Sequence, residues 1–294
     1  MFGSTLTAMV TPFAEDSSLD LDAAQKLARY LVDHGNDGVV VAGTTGESAT
    51  LTHDEQIDLI QAVVEALPDH PVIAGAGSNN TATAIEHSER CAAVGATALL
   101  HVTPYYNRPS QAGLRHHFSE VAKATDLPIV IYDIPGRTGR KISTELLLEL
   151  FSIPTIVGLK DAAGSPAETA NLIRRAHDAD LDIAFYSGDD SLTLPLLAVG
   201  AIGVIGVATH WCGPEMAEMI AAFQKGDVQL AQQINAKLIP SWQFESTEMA
   251  PNPVPSKVIM NLLGVRVGEC RSPMGPIPDG LLEEARALLS GLDR

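Results

Sequence analysis

The chain has 294 residues, 46% of them hydrophobic, which is enough for one large core or two modest ones and too apolar for a disordered polypeptide. Nineteen basic against 36 acidic residues leave a formal charge of −17, and a surface of that sign repels nucleic-acid phosphates and anionic lipid. Three cysteines, Cys91, Cys212 and Cys270, show no CxxC spacing, so they suggest neither a disulfide framework nor a structural zinc site and fit a reducing cytoplasm.

In chain order, short apolar runs bounded by turn residues predict strands at 6–10, 38–42, 71–74, 98–103, 128–132, 155–160, 182–187 and 201–207. Residues 1–11 carry no basic start and no long apolar stretch before Pro12, so they read as the first strand and not as a signal peptide. The runs are nearly continuous instead of alternating, as strands covered on both faces require. Between them lie segments of helical period, two of which open on capping boxes: Thr52-His53-Asp54-Glu55 and Ser165-Pro166-Ala167-Glu168. The 24 residues 191–214 contain no Asp, Glu, Lys or Arg and on length alone could span a bilayer. Pro195, Gly200, Gly203, Gly206 and Gly213 divide them instead into a short helix at 191–199, a turn and the eighth strand. Beyond residue 225 the strand signals stop and helices are expected at 228–248, 255–263 and 280–290. The reading is an α/β chain, a (β/α)8 barrel over 1–225 with a C-terminal helical extension, 226–294, of the same unit. A doubly wound open sheet is the alternative, because strand spacing does not reveal closure.

In such a barrel the working groups sit at the C-terminal ends of the strands. Strand two ends in Gly43-Thr44-Thr45-Gly46-Glu47-Ser48, whose hydroxyls and successive N–H groups can hold a carboxylate or simply form a tight turn before a helix. The loop lacks the Gly-Lys-Ser/Thr ending that cradles phosphate. Strand six ends in Lys160, which in a dry site becomes a free amine able to attack a ketone, and at the barrel rim is an ordinary solvated lysine. Strand five leads into Tyr132 and, in a Pro/Gly loop, Arg137: a phenol that can pass a proton and a planar fork suited to a carboxylate. Strand four leads into Tyr105 and Tyr106 between prolines, a rigid loop fit for an interface or a site. The nine histidines include no HExxH, and His116 and His117 point to different faces of their helix. Gly188-Asp189-Asp190 is as well explained by an acidic helix start as by a cation, so no metal and no cofactor are expected.

Four segments, GTTGESATL at 43–51, TPYYNRPSQAGL at 103–114, YDIPGRTG at 132–139 and GLKD at 158–161, together resemble the dihydrodipicolinate synthase family. The likeness runs from Thr11-Pro12 to Asn252-Pro253-Val254-Pro255 and Lys257. It implies that Lys160 forms an imine with pyruvate, whose enamine adds to L-aspartate 4-semialdehyde on the diaminopimelate route to lysine. It further implies that Tyr132 moves protons through Thr44 and through a Tyr106 donated by a neighbouring subunit. Thr45 and the main chain of Ile205 would hold the pyruvate carboxylate, and Arg137 that of the semialdehyde. A homotetramer, a dimer of dimers, follows from the same likeness, with small-molecule substrates and no nucleic-acid or membrane partner. The broader family includes N-acetylneuraminate lyase and related aldolases acting on sugar acids or hydroxy-oxo acids, which is the alternative activity, and a non-catalytic 2-oxo acid binder has no need of the lysine. Lysine-inhibited members carry a second histidine and a glutamate where this chain has Gln56 and Thr83, although His53, Asn79 and Tyr105 match. Loss of that carboxylate removes a contact of about 1.5 to 3 kcal/mol, so lysine inhibition is expected to be weak or absent.

Overall fold

A computed structural model of the chain describes residues 2–294. Eight parallel strands follow one another around a closed barrel: β1 (Thr5–Ala8), β2 (Gly38–Val41), β3 (Val72–Gly75), β4 (Ala98–Val102), β5 (Ile129–Asp133), β6 (Ile156–Asp161), β7 (Ala184–Ser187) and β8 (Gly203–Gly206). The open-sheet alternative falls on the pairing of β8 with β1, where Ile205 stands opposite Leu6. Strand ends differ from the sequence reading by one or two residues. Pro71, for example, lacks the N–H a ladder needs and contributes only its carbonyl, which accepts from Val39 N at 3.1 Å.

The crossovers carry α1 (Leu21–Asp33), α2 (His53–Ala66), α3 (Thr81–Ala93), α4 (Gln111–Val121), a short α5 (Pro135–Thr138), α6 (Thr144–Phe151), α7 (Pro166–Asp178), α8 (Thr193–Ala198) and α9 (Thr209–Gln224). The chain ends in α10 (Val228–Phe244), α11 (Val254–Leu262) and α12 (Leu281–Gly291). At the start of α2 the capping box is complete: Thr52 Oγ1 accepts from Glu55 N at 3.1 Å and Glu55 Oε2 accepts from Thr52 N at 2.8 Å. At α7 only half of the expected box forms. Ser165 accepts from Glu168 N, but the Glu168 side chain turns to Lys141, an ion-pair partner from the neighbouring segment that competes with the cap. The helix expected at 191–199 begins as a 3-10 turn, Asp190–Leu192, before α8, and the helix expected to reach 248 stops at Phe244 with Glu245 as its C-cap.

Three apolar layers result. Outward strand residues such as Val39, Leu99, Ile131 and Leu159 pack under the helices, while Leu6, Val40, Ile73, Leu100, Val130 and Ile205 fill the barrel interior. Trp211, Met216, Leu238, Ile259 and Ala285 form a third core among the last four helices. Its indole is not left unsatisfied, because Trp211 Nε1 donates to Ser241 Oγ at 3.1 Å. Among the described residues no helix is long and apolar enough to cross a membrane.

Candidate active site

Alternation along β6 sends Leu159 outward and Lys160 into the barrel. There Lys160 lies in register between Tyr132 on β5 and Tyr186 on β7. It is only 5% exposed, and its Nζ sits 4.4 Å from the centroid of the Tyr132 ring. Burial pushes the amine down to about 8, an effect that Asp190 and Glu245 oppose and Arg137 reinforces. Burial also raises the Tyr132 phenol above its ordinary value, so at neutral pH it remains a hydroxyl that can donate. The loop after β7 passes so close that a Cβ on Gly188 would stand 2.9 Å from Lys160 Cγ and 3.1 Å from Cε. Glycine at 188 therefore lets the lysine stem keep its path.

Above this row opens a cavity of about 440 Å³ whose wall includes Thr44, Tyr132 and Arg137, together with Tyr105. Lys160, Thr45 and Ile205 are not on that wall. Thr45 is buried and its Oγ1 accepts from Asn252 Nδ2 at 2.9 Å, while Ile205 is buried on β8. Arg137 is exposed on α5, and beside it a Cβ on Gly136 would meet nothing within 4 Å. Tyr106 is not brought to the cavity either. It is 90% exposed, with a φ of 72° that is uncommon for a bulky residue.

The sequence reading missed how the hydroxyl loop is held. Glu47 adopts the left-handed region (φ 54°), is buried, and lies 2.7 Å from Lys257 Nζ in an almost fully shielded ion pair. Its Oε2 accepts from Arg271 N at 2.9 Å, and the Arg271 guanidinium reaches Glu55 at 2.6 Å and the Thr50 carbonyl at 2.9 Å. Lys257 and Arg271 both lie over the Phe13 ring, at 4.1 and 4.3 Å. The C-terminal helices thus clamp the Thr44-Thr45 loop from behind. The available signals were a glutamate directly after Gly46 and a lysine inside the apolar α11.

The cavity wall also includes His53, Gln56, Thr83 and His87. The His53 and His87 rings are 5.4 Å apart, and Gln56 Nε2 donates to the Ser48 carbonyl at 2.9 Å. Among the described residues no group of three His, Cys, Asp or Glu side chains is close enough to share a metal ion.

The sequence matches the dihydrodipicolinate synthetase family over residues 1–292. It is 49% identical over 274 residues to the 4-hydroxy-tetrahydrodipicolinate synthase of Moorella thermoacetica, covering 93% of this chain and 92% of that one. A dihydrodipicolinate synthase structure from Bacillus anthracis superposes with a TM-score of 0.94 at 42% identity, covering 99% of this chain and 98% of that one. The lysine-bound enzyme of Cyanidioschyzon merolae also gives 0.94, at 41% identity and the same coverage. With its closed barrel, its interior lysine and a likeness that runs end to end, the chain belongs to the dihydrodipicolinate synthetase family.

Proposed function

We propose that the chain is a 4-hydroxy-tetrahydrodipicolinate synthase, a lyase that joins pyruvate to L-aspartate 4-semialdehyde through an imine on Lys160. The observation that carries this reading is the interior amine of Lys160, flanked in register by two tyrosines and pushed down to about 8. At pH 7 about a tenth of such an amine is neutral, against about one in three thousand at the ordinary value of 10.5.

The free amine attacks the ketone carbon of pyruvate, and loss of water gives an iminium. The iminium draws electrons from the adjacent methyl group, which gives up a proton to form an enamine. That carbon adds to the aldehyde of the semialdehyde, and the aldehyde oxygen takes a proton to become the 4-hydroxyl. Attack of the substrate's own amine on the iminium then closes the ring and releases Lys160. The neutral Tyr132 hydroxyl serves as proton donor and acceptor, with Thr44 and Tyr106 in the relay. Thr45 and the Ile205 main chain hold the pyruvate carboxylate, and Arg137 takes the second carboxylate by its bidentate fork. No step calls for a redox cofactor or a metal.

Tyr106 stands in solvent in a single chain, which supports a relay completed by a neighbouring subunit in a dimer of dimers. The ion pair between Glu47 and Lys257 supports reading 226–294 as an extension of the same unit as the barrel. Three free thiols, Cys91, Cys212 and Cys270, fit a reducing cytoplasm. Incubation with pyruvate, reduction with borohydride and peptide mapping by mass spectrometry is expected to place the adduct on Lys160, and an unmodified Lys160 would refute the imine. Turnover with aspartate semialdehyde well above that with sugar acids separates the synthase from related aldolases. Mixing Tyr106→Phe chains with Lys160→Ala chains is expected to restore activity to about a quarter of the sites, and no restoration would remove the shared relay.

A further inference from the structure

Two carboxyl groups that the mechanism leaves unused act on Lys160 as charges. Asp190 opens the turn after β7 and is buried; its Oδ2 accepts from Val207 N at 2.8 Å, whereas its Oδ1 is shielded from solvent and meets no protein donor. Glu245, the C-cap of α10, has its Oε2 in the same condition. Helix α10 packs on the turn that Asp190 opens, and each carboxyl acts on the titration of the other. On one side the β8 backbone closes in, since a Cβ on Gly206 would stand 2.4 Å from Asp190 Oδ1. Two ionised carboxylates there repel and leave shielded oxygens without a donor, while one proton between them removes both penalties.

We propose that Asp190 and Glu245 hold one proton between them and present a single fixed negative charge to the iminium formed at Lys160, acting as a positioning pair and not as catalytic residues. The inference rests on the imine reading of Lys160. Burial raises both carboxyls, and the charge of Asp189 raises them further; the Val207 N–H works against this at Asp190. Both carboxyls in turn raise the Lys160 amine, against burial and the Arg137 guanidinium. From α9 the Cys212 thiol is held up chiefly by burial and also senses Asp190. His210 stays a neutral spectator, since burial pushes it down to about 4 while Nε2 accepts from Val10 N and Nδ1 bonds the Val207 carbonyl.

Charge counting makes the idea testable. If the pair shares a proton, Asp190→Asn or Glu245→Gln leaves the other carboxylate ionised, with the new amide donating where the shared proton was, and the net charge is unchanged. Only the double variant removes it. The pH dependence of borohydride trapping of pyruvate on Lys160 is therefore expected to keep its midpoint within about 0.3 units in either single variant and to move down by about one unit in the double variant. Midpoints that shift in each single variant by about half the double-variant shift, or a double variant with no shift, would overturn the proposal. Infrared spectra of the unaltered protein supply a second readout that does not depend on the variants folding. A carboxylic-acid carbonyl band persisting at pH 8 and moved by 13C labelling of glutamate or of aspartate is expected, and its absence overturns proton sharing. A wild type that traps no pyruvate refutes the imine reading, while the infrared band still decides whether the proton is shared.

Discussion

Lys160 and Lys257 are both buried amines, 5% and 2% exposed, each over an aromatic ring and each lowered by burial. They differ in what touches the nitrogen. Lys257 meets the Glu47 carboxylate at 2.7 Å and donates to the Glu269 carbonyl at 2.9 Å, so its ammonium is compensated and works as a strut. Lys160 takes part in none of the ion pairs among the described residues; the nearby carboxyls act on it only as charges. Burial alone does not free an amine; burial without a direct counter-ion favours the neutral form that the proposed imine chemistry needs.

The largest effect that tests this contrast is Lys160→Ala, which is expected to cost at least about 10³-fold in turnover with a smaller loss of thermal stability than truncation at Lys257, because no direct ion-pair partner is orphaned. Lys257→Met is expected to do the reverse. It strands Glu47 and costs about 3 to 5 kcal/mol in denaturant unfolding, and Glu47→Gln added to it recovers much of that loss. Equal stability losses at the two lysines would erase the distinction.

A third buried base sharpens the comparison through pH. Burial pushes His101 down to about 3, helped by His117 and His87. Between its ordinary 6.5 and that value the unfolded chain binds a proton that the fold refuses, so this group's contribution falls as pH falls. His101→Gln, compared with wild type by thermal unfolding, is expected to gain about 2 kcal/mol in relative stability from pH 7 to 4.5. A relative stability that does not change with pH would show that the imidazole is not held neutral.

The smallest effect concerns a ligand's ammonium. The cavity end lined by Gln56 and Thr83 presents neutral side chains there, so millimolar lysine is expected to slow turnover by less than about twofold. Strong inhibition in a steady-state assay would mean that another group supplies the counter-charge.

The barrel was legible because a strand covered on both faces must be largely apolar, and the eight runs keep close to that rule, with Thr7 on β1 and His101 on β4 among the buried exceptions. Lys160, Tyr132, Arg137 and Thr44 were legible as polar residues placed where such runs end. What escaped were pairings between distant parts of the chain. Glu47 with Lys257 and Asp190 with Glu245 each join a barrel loop to the C-terminal helices, and no local spacing encodes such a contact. The exposure of Tyr106 was equally hidden, since an apolar, rigid loop reads the same whether it lines a cavity or awaits a partner.

Gly136 and Gly188 leave different amounts of slack on the two sides of the site. A side chain at 188 collides with the stem of Lys160, whereas one at 136, next to Arg137, projects into open space. On the proposed mechanism, the side that would generate the carbon nucleophile is tightly packed at 188, while the loop that would read the acceptor has room at 136. If Arg137 reads the acceptor as proposed, a single substitution at 136 can reshape the acceptor end of the cavity while leaving the packing around Lys160 unaltered.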